Sequence, residues 1–252
     1  MLPLPELAPI EWLLVAIGAM GIGVAKAGFP GISYVYIITF ALLFGAREGA
    51  GIVLPMLVVG DVLAVATFKR HANWHYIRQM LPPACLGVIA GATSMWLIRD
   101  DGVFTPLIGW IVVALTVMQL LNLWRPAIFA GAPHTPVFAW GMGLLAGWTS
   151  MLANGAGPII ALFGLAVRLP KFEFVGTSAW FFLVVNVFKL PFSWGLGLIG
   201  DSSLSLNLVL VPAIGLGMLV GRWLTHVVPQ RLFDALLLLF AAVAALRLIG
   251  VF

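Results

Sequence analysis

Lys26 stands in the run Ala25-Lys26-Ala27-Gly28-Phe29-Pro30-Gly31, where a full charge is followed at once by helix breakers inside apolar sequence. A second run with the same character, Ala153-Asn154-Gly155-Ala156-Gly157-Pro158, lies 127 residues on, so that Gly28 falls on Gly155. In each run a proline, Pro30 or Pro158, sits at the start of the helix that follows, where its missing N–H costs nothing. A helix N-terminus offers unpaired N–H groups and the positive end of a dipole, so two of them facing one another make an anion site. Lys26 adds a formal charge to that site and Asn154 an amide donor. Asp61, Asn186 and Lys189 are the other polar residues deep in apolar stretches, and at the repeat spacing Asp61 falls near Lys189. Ionisable side chains at such depth usually face a bundle interior and mark a substrate or proton path. Lys189 reads as a second charge on the anion or as structural, snorkelling toward the interface or pairing with Asp61. Asp61 likewise reads as a proton carrier or as a counter-ion to Lys69 or Lys189, with counter-ion favoured.

The elements that must hold these residues follow from composition. Of 252 residues, 62% are hydrophobic and 9% charged, and the mean hydropathy is +1.12. A soluble domain carries about 25% charged residues, so the expected class is an all-α polytopic membrane protein forming a single transmembrane domain over 1–252. Backbone that leaves helical geometry at membrane depth is tolerated only where it is buried in protein or lines a cavity, which gives both breaks a structural reason to be internal. The net charge of +4 is small and scattered, which argues against a nucleic-acid surface. Met1 to Glu11 lacks the basic region of a secretory signal and is expected to be retained.

Charges, prolines and turn residues divide the chain into ten apolar segments: Glu11–Ala25, Gly31–Phe44, Gly49–Phe68, Ile77–Ile98 and Phe104–Leu123, then Val137–Ala153, Pro158–Val167, Phe174–Leu198, Leu204–Thr225 and Arg231–Gly250. The third to fifth of each half reach the roughly 20 residues a span requires. The first two of each half are short and meet at a break, so each pair reads as a broken, re-entrant helical hairpin or pair of half-helices dipping to mid-membrane, followed by three spanning helices. Repeats at approximately 10–125 and 137–252 are supported further by Pro83–Gly91 against Pro212–Gly221, both with a G-x-x-x-G step for close helix contact. Placing the Lys69-Arg70-His71 connection inside puts eight Lys and Arg residues in inside loops and three, Arg47, Arg99 and Arg247, in outside loops. Both termini then lie outside, each half has an odd number of crossings, and the repeats have inverted topology, an arrangement associated with alternating access around a midplane site.

Other signals read as structural. His71 and His75 have helical metal-ligand spacing but no third ligand nearby. Gly141-x-Gly143-x-x-Ala146 has no preceding strand and reads as tight helix packing rather than a dinucleotide fingerprint. Trp12, Trp74, Trp124 and Trp223 read as interface anchors, Trp148, Trp180 and Trp194 as packing near the second break, and Cys85 as packing. No cofactor or metal is expected.

The runs Gly21-Ile-Gly23-Val-Ala-Lys26-Ala-Gly28-Phe-Pro30-Gly31 and Gly147-Trp-Thr-Ser-Met-Leu-Ala-Asn154-Gly155-Ala-Gly157-Pro158, followed by Phe181-Phe182-x-x-x-Asn186-x-x-Lys189, resemble the TauE/SafE sulfite exporter family, also called the toluene-sulfonate uptake permease family. The resemblance extends over nearly the whole chain. It implies a two-repeat membrane transporter of sulfite, sulfonates, thiosulfate-related or other small organic anions. The expectation is therefore a secondary transporter in a bacterial inner membrane, not an enzyme, with export the favoured direction and a small sulfur-containing anion as substrate. The anion would bind among Lys26, Gly28, Phe29, Pro30, Gly31, Asn154, Gly155, Gly157, Pro158, Asn186 and Lys189, with the lipid bilayer as surroundings and a homodimer left open. An anion channel is the nearest alternative. A membrane-embedded metalloenzyme built on His71, His75 and Asp61 is the remote one, since that group lacks a nucleophile and a metal triad.

Overall fold

The apolar runs become helices whose ends fall where charges and prolines stand. A computed structural model describes residues 4–29, 32–125 and 135–227, and among them the elements are α1 (Pro9–Lys26), α2 (Ser33–Phe44), α3 (Ala46–Phe68), α4 (Trp74–Leu97), α5 (Asp101–Trp124), α6 (Pro136–Ala153), α7 (Ala156–Ala166), α8 (Lys171–Gly195) and α9 (Asp201–Val227), with no strand among the described residues. The expected segment Arg231–Gly250 lies outside the described residues, as do Pro30 and Gly31. Six stretches, Pro9–Lys26, Ala46–His71, Trp74–Leu97, Asp101–Met118, Phe172–Gly195 and Asp201–Leu224, are long and apolar enough to cross a membrane, while Ser33–Phe44 and Ala156–Ala166 are shorter apolar helices. Large apolar side chains such as Ile17, Leu86, Trp110, Leu208 and Leu219 stay exposed on the outside of the bundle, which suits a surface solvated by lipid.

With 18 residues, α1 is longer than its sequence segment and reaches spanning length. It is nevertheless one arm of a hairpin, because α2 returns along it: Gly18 lies against Phe40, and Gly21 against Val35. The second pair does the same, Phe138 of α6 stacking on Phe163 of α7 with ring centroids 6.0 Å apart. Gly28 ends the first arm at φ 117 and Asn154 ends α6 in the left-handed region at φ 53, a conformation that only glycine and, among common residues, asparagine adopt readily.

The bases of the two hairpins lie at opposite ends of the bundle. Arg47, in the first turn of α3, donates to the carbonyl oxygen of Ile98 at 2.7 Å and to that of Met95, tying the start of α3 to the end of α4. The base of the first hairpin sits beside that start of α3. The base of the second sits beside the start of α4, where Tyr76 meets Phe163 edge-on at 5.5 Å.

Glycine sets the closest contacts, because apolar burial gives little drive for helix association when the solvent is itself apolar. A Cβ at Gly217 of α9 would overlap the backbone of Met20 in α1, one at Gly23 would overlap the Ile214–Met218 backbone, and one at Gly147 of α6 would overlap Ala84 of α4. Gly87 and Gly91 of the expected G-x-x-x-G step press on α6 in the same way, and Gly143 meets Met80 and Pro83. α1 therefore packs on α9 and α4 on α6, while α3 and α8 pack on each other between them. Gly217→Ala is expected to cost about 1–3 kcal/mol through overpacking and to lower the thermal midpoint in detergent. Gly215→Ala, where a Cβ meets nothing within 4 Å, should leave it unchanged. Equal shifts in the two variants would contradict this account of the α1–α9 seam.

A buried charge network between two helix breaks

Asp61 lies on α3 and Asn186 and Lys189 on α8, so the mutual packing of those two helices turns all three away from lipid. Asp61 is 0% exposed, Asn186 and Lys189 each 1%. The hairpins bring the remaining members. Lys26, the last residue of α1, places Nζ 2.5 Å from Asp61 Oδ1 and 4.4 Å from the centre of the Phe182 ring. Asn186 donates from Nδ2 to Asp61 Oδ2 at 2.6 Å. Its own carbonyl oxygen accepts from Lys189 Nζ at 3.4 Å, and Lys189 also donates to Asn154 Oδ1 at 2.6 Å and to Ser150 Oγ at 3.2 Å. Asn154 completes the line by donating from Nδ2 to the Ala50 carbonyl at 2.9 Å.

The two lysines are therefore not equivalent. An ammonium has three N–H donors, and those of Lys189 are all directed at neutral protein oxygens. Among the described residues Lys26 faces one carboxylate oxygen and an aromatic ring, and it lines the adjoining cavity. Among the described residues the cation at salt-bridge distance from Asp61 is Lys26, rather than Lys69 or Lys189. Lys69 lies in the short 3-10 turn Lys69–His71 beyond the end of α3. The left-handed turn at Asn154 also changes what that residue does: its carbonyl holds Lys189 and its amide holds the backbone of α3, so both of its polar ends serve the protein.

A cavity of about 40 Å³ adjoins this line, walled by Lys26, Ser33, Tyr36, Asn154, Gly157 and Phe182 among others. Ser33 and Tyr36 belong to the first turn of α2 and Gly157 to the first turn of α7, so the starts of both returning helices approach one space. Gly28 lines a neighbouring cavity, and Phe29 and Pro158 are buried. Gly155 is the residue before α7, packed against Leu115. Ser150, Ser33, Tyr36 and Phe182 were not singled out as site residues in the sequence. Ser150 stands one helical turn before Asn154, so both side chains share a face of α6, and that spacing is the signal that finds it.

The other polar candidates go elsewhere. His71 lies beside the Phe172 ring and His75 contacts Gln79, and among the described residues no group of three His, Cys, Asp or Glu side chains converges. Trp148 donates to Ser94 Oγ at 3.3 Å, Trp180 packs on Trp74, and Trp194 is exposed.

The family model described as sulfite exporter TauE/SafE matches residues 14–248. The chain belongs to the TauE/SafE family. No curated protein and no solved structure matches it. Membership in TauE/SafE, a transporter family, together with six stretches able to cross a membrane, makes the chain a multi-pass membrane protein of the sulfite-export type. In this TauE/SafE member the charged and amide side chains meet where the two helix breaks meet.

Proposed function

We propose that the chain is a secondary transporter of small sulfur oxyanions, sulfite first and short organosulfonates second, working by alternating access at the cavity between the breaks. The observation that carries this reading is the buried set of two lysines and one aspartate beside that cavity, Lys26 lining it directly, one positive charge in excess when all three are ionised. Charged groups are costly in a membrane protein and persist there for function, and an entering anion restores neutrality. Lys26 meets the anion, Lys189 holds Asn154 and Asn186 in place, and the first turns of α2 and α7 present their dipoles. At about 10–15 Å³ per water, a cavity of about 40 Å³ suits a compact oxyanion. A sulfonate tail would extend past Phe182.

Two features support moving halves. α1 against α9 and α4 against α6 are corresponding pairs if approximately 10–125 and 137–252 are repeats, and α3 against α9 and α4 against α8 are corresponding pairs too. Hairpins based at opposite ends of the bundle suit an inverted relation between the halves. Lys69, Arg70, Arg78 and Arg168 gather at the end holding the base of the second hairpin, which we assign to the cytoplasm.

Counterflow of labelled sulfite into liposomes containing the purified protein tests the reading, with sulfate, sulfoacetate, taurine and thiosulfate as competitors. Saturable exchange competed most strongly by one sulfur anion is the expected result. Flux that never saturates and follows voltage alone would replace the carrier by a channel, and absence of exchange with every anion in folded protein would remove the substrate class.

A further inference from the structure

Two cavities meet at Lys26. Ala25, Lys26, Gly157 and Phe182 border both the central cavity and a second one of about 30 Å³, which continues to Gly28, Phe174 and Ser178. Ser178 precedes Phe182 by four residues and so shares its face of α8, one turn nearer the helix start. That start lies at the Lys69–His71 end of the bundle, since the next glycine along, Gly176, is in close contact with Phe68 and His71. The second cavity is therefore the nearer of the two to that face. The hydroxyl of Ser178 is buried and has no hydrogen-bond partner among the described residues, an uncommon condition for a buried polar group. The Phe182 ring borders both cavities, and the Lys26 ammonium rests against it at 4.4 Å.

We propose that the two cavities are successive stations of one path, that Phe182 and Lys26 form the partition between them, and that Ser178 donates to the anion in the second station. The inference rests on the transport reading above and names how that site opens. A cation held on an aromatic face is attracted by the ring's quadrupole. An oxyanion arriving at Lys26 competes for the same ammonium, draws it off the ring and frees Phe182 to turn. Binding of the anion and opening toward the Lys69–His71 face are then one event. Without the anion, the ring stays seated and the path is closed.

The test is chemical accessibility rather than flux. In a Cys85→Ala background, Ser178→Cys reports on the second cavity and Leu57→Cys, whose side chain lines only the first, on the central one. The probe is 2-(trimethylammonio)ethyl methanethiosulfonate, a permanent cation that does not compete for the Lys26 ammonium, added from the Lys69–His71 face. Ser178→Cys is expected to react at least tenfold faster than Leu57→Cys. Adding Phe182→Ala should raise the Leu57→Cys rate at least tenfold while leaving the Ser178→Cys rate unchanged. Phe182→Leu, which keeps bulk and loses the ring face, should give a smaller rise and guards against a folding defect in the alanine variant. An unchanged Leu57→Cys rate in both Phe182 variants, or faster labelling of Ser178→Cys from the opposite face, would overturn the partition. Sulfoacetate, a sulfonate that does not react with the thiosulfonate reagent, should slow labelling of Ser178→Cys. If it does not while the labelling pattern holds, the substrate is wrong and the partition stands.

Discussion

Lys26→Met is expected to abolish sulfite exchange and to destabilise the protein at the same time, and the two losses can be separated. Removing one member of a buried ion pair leaves the other uncompensated, at a cost of about 3–5 kcal/mol. Here the abandoned group is Asp61, which is 0% exposed and among the described residues would keep only the Asn186 amide as a donor. The double variant Lys26→Met/Asp61→Asn removes both charges. It should recover most of the thermal midpoint lost in the single variant, because replacing a buried pair by neutral groups of similar volume is close to neutral. It should recover no exchange, because the cation that meets the anion is gone. Thermal unfolding in detergent and counterflow in liposomes read the two effects independently. Restored exchange in the double variant would mean that Lys26 serves Asp61 and not the substrate.

The second large effect belongs to Lys189, and it arises by a different route. Its ammonium gathers Asn154 Oδ1, Asn186 Oδ1 and Ser150 Oγ around one nitrogen at 2.6, 3.4 and 3.2 Å. Lys189→Met leaves buried amide carbonyls without their donor, at about 1–3 kcal/mol each, partly offset by no longer burying a charge. Exchange should fall to background, and amide hydrogen exchange across residues 150–157 should accelerate as the tip of the second hairpin loosens. Lys189→Arg should fail as well, since a planar fork of five donors cannot reproduce three acceptors converging on a point. Wild-type exchange in Lys189→Arg would show that only the charge matters there.

The outline of the fold was legible because charges and prolines punctuate an otherwise apolar chain. Each described helix begins and ends within a few residues of its sequence segment, the ends at Phe44, Phe68 and Ala153 coinciding. The ionisable residues at depth were legible for the same reason, being conspicuous in apolar surroundings. Their partners were not. A helix that is apolar nearly all round gives no rotational phase, so the sequence could not say that Asp61 turns toward the end of α1 rather than toward Lys189. How deep each hairpin reaches is set by glycine contacts between helices distant in sequence, and that depth decides that Lys26, 35 residues before Asp61, becomes its partner. The division of labour between the lysines follows from Ser150 and the left-handed turn at Asn154, which appear in the sequence only as a small polar residue and an asparagine before a glycine.

The seam between α1 and α9 carries a consequence for how the chain is made. Gly143 and Gly147 of α6 find Met80 and Ala84 of α4 soon after they leave the ribosome, whereas Gly23 of α1 must await Gly217 of α9. At about 5–20 residues per second, the intervening stretch of about 190 residues takes on the order of ten to forty seconds. Through that interval the first hairpin resides in the bilayer with one flank uncovered. Its lysine need not wait so long, because Asp61 is synthesised only seconds behind it. Neutralising the charge and closing the seam are thus separate stages of biogenesis, and a ribosome halted after α5 would expose a neutralised hairpin with a bare glycine flank.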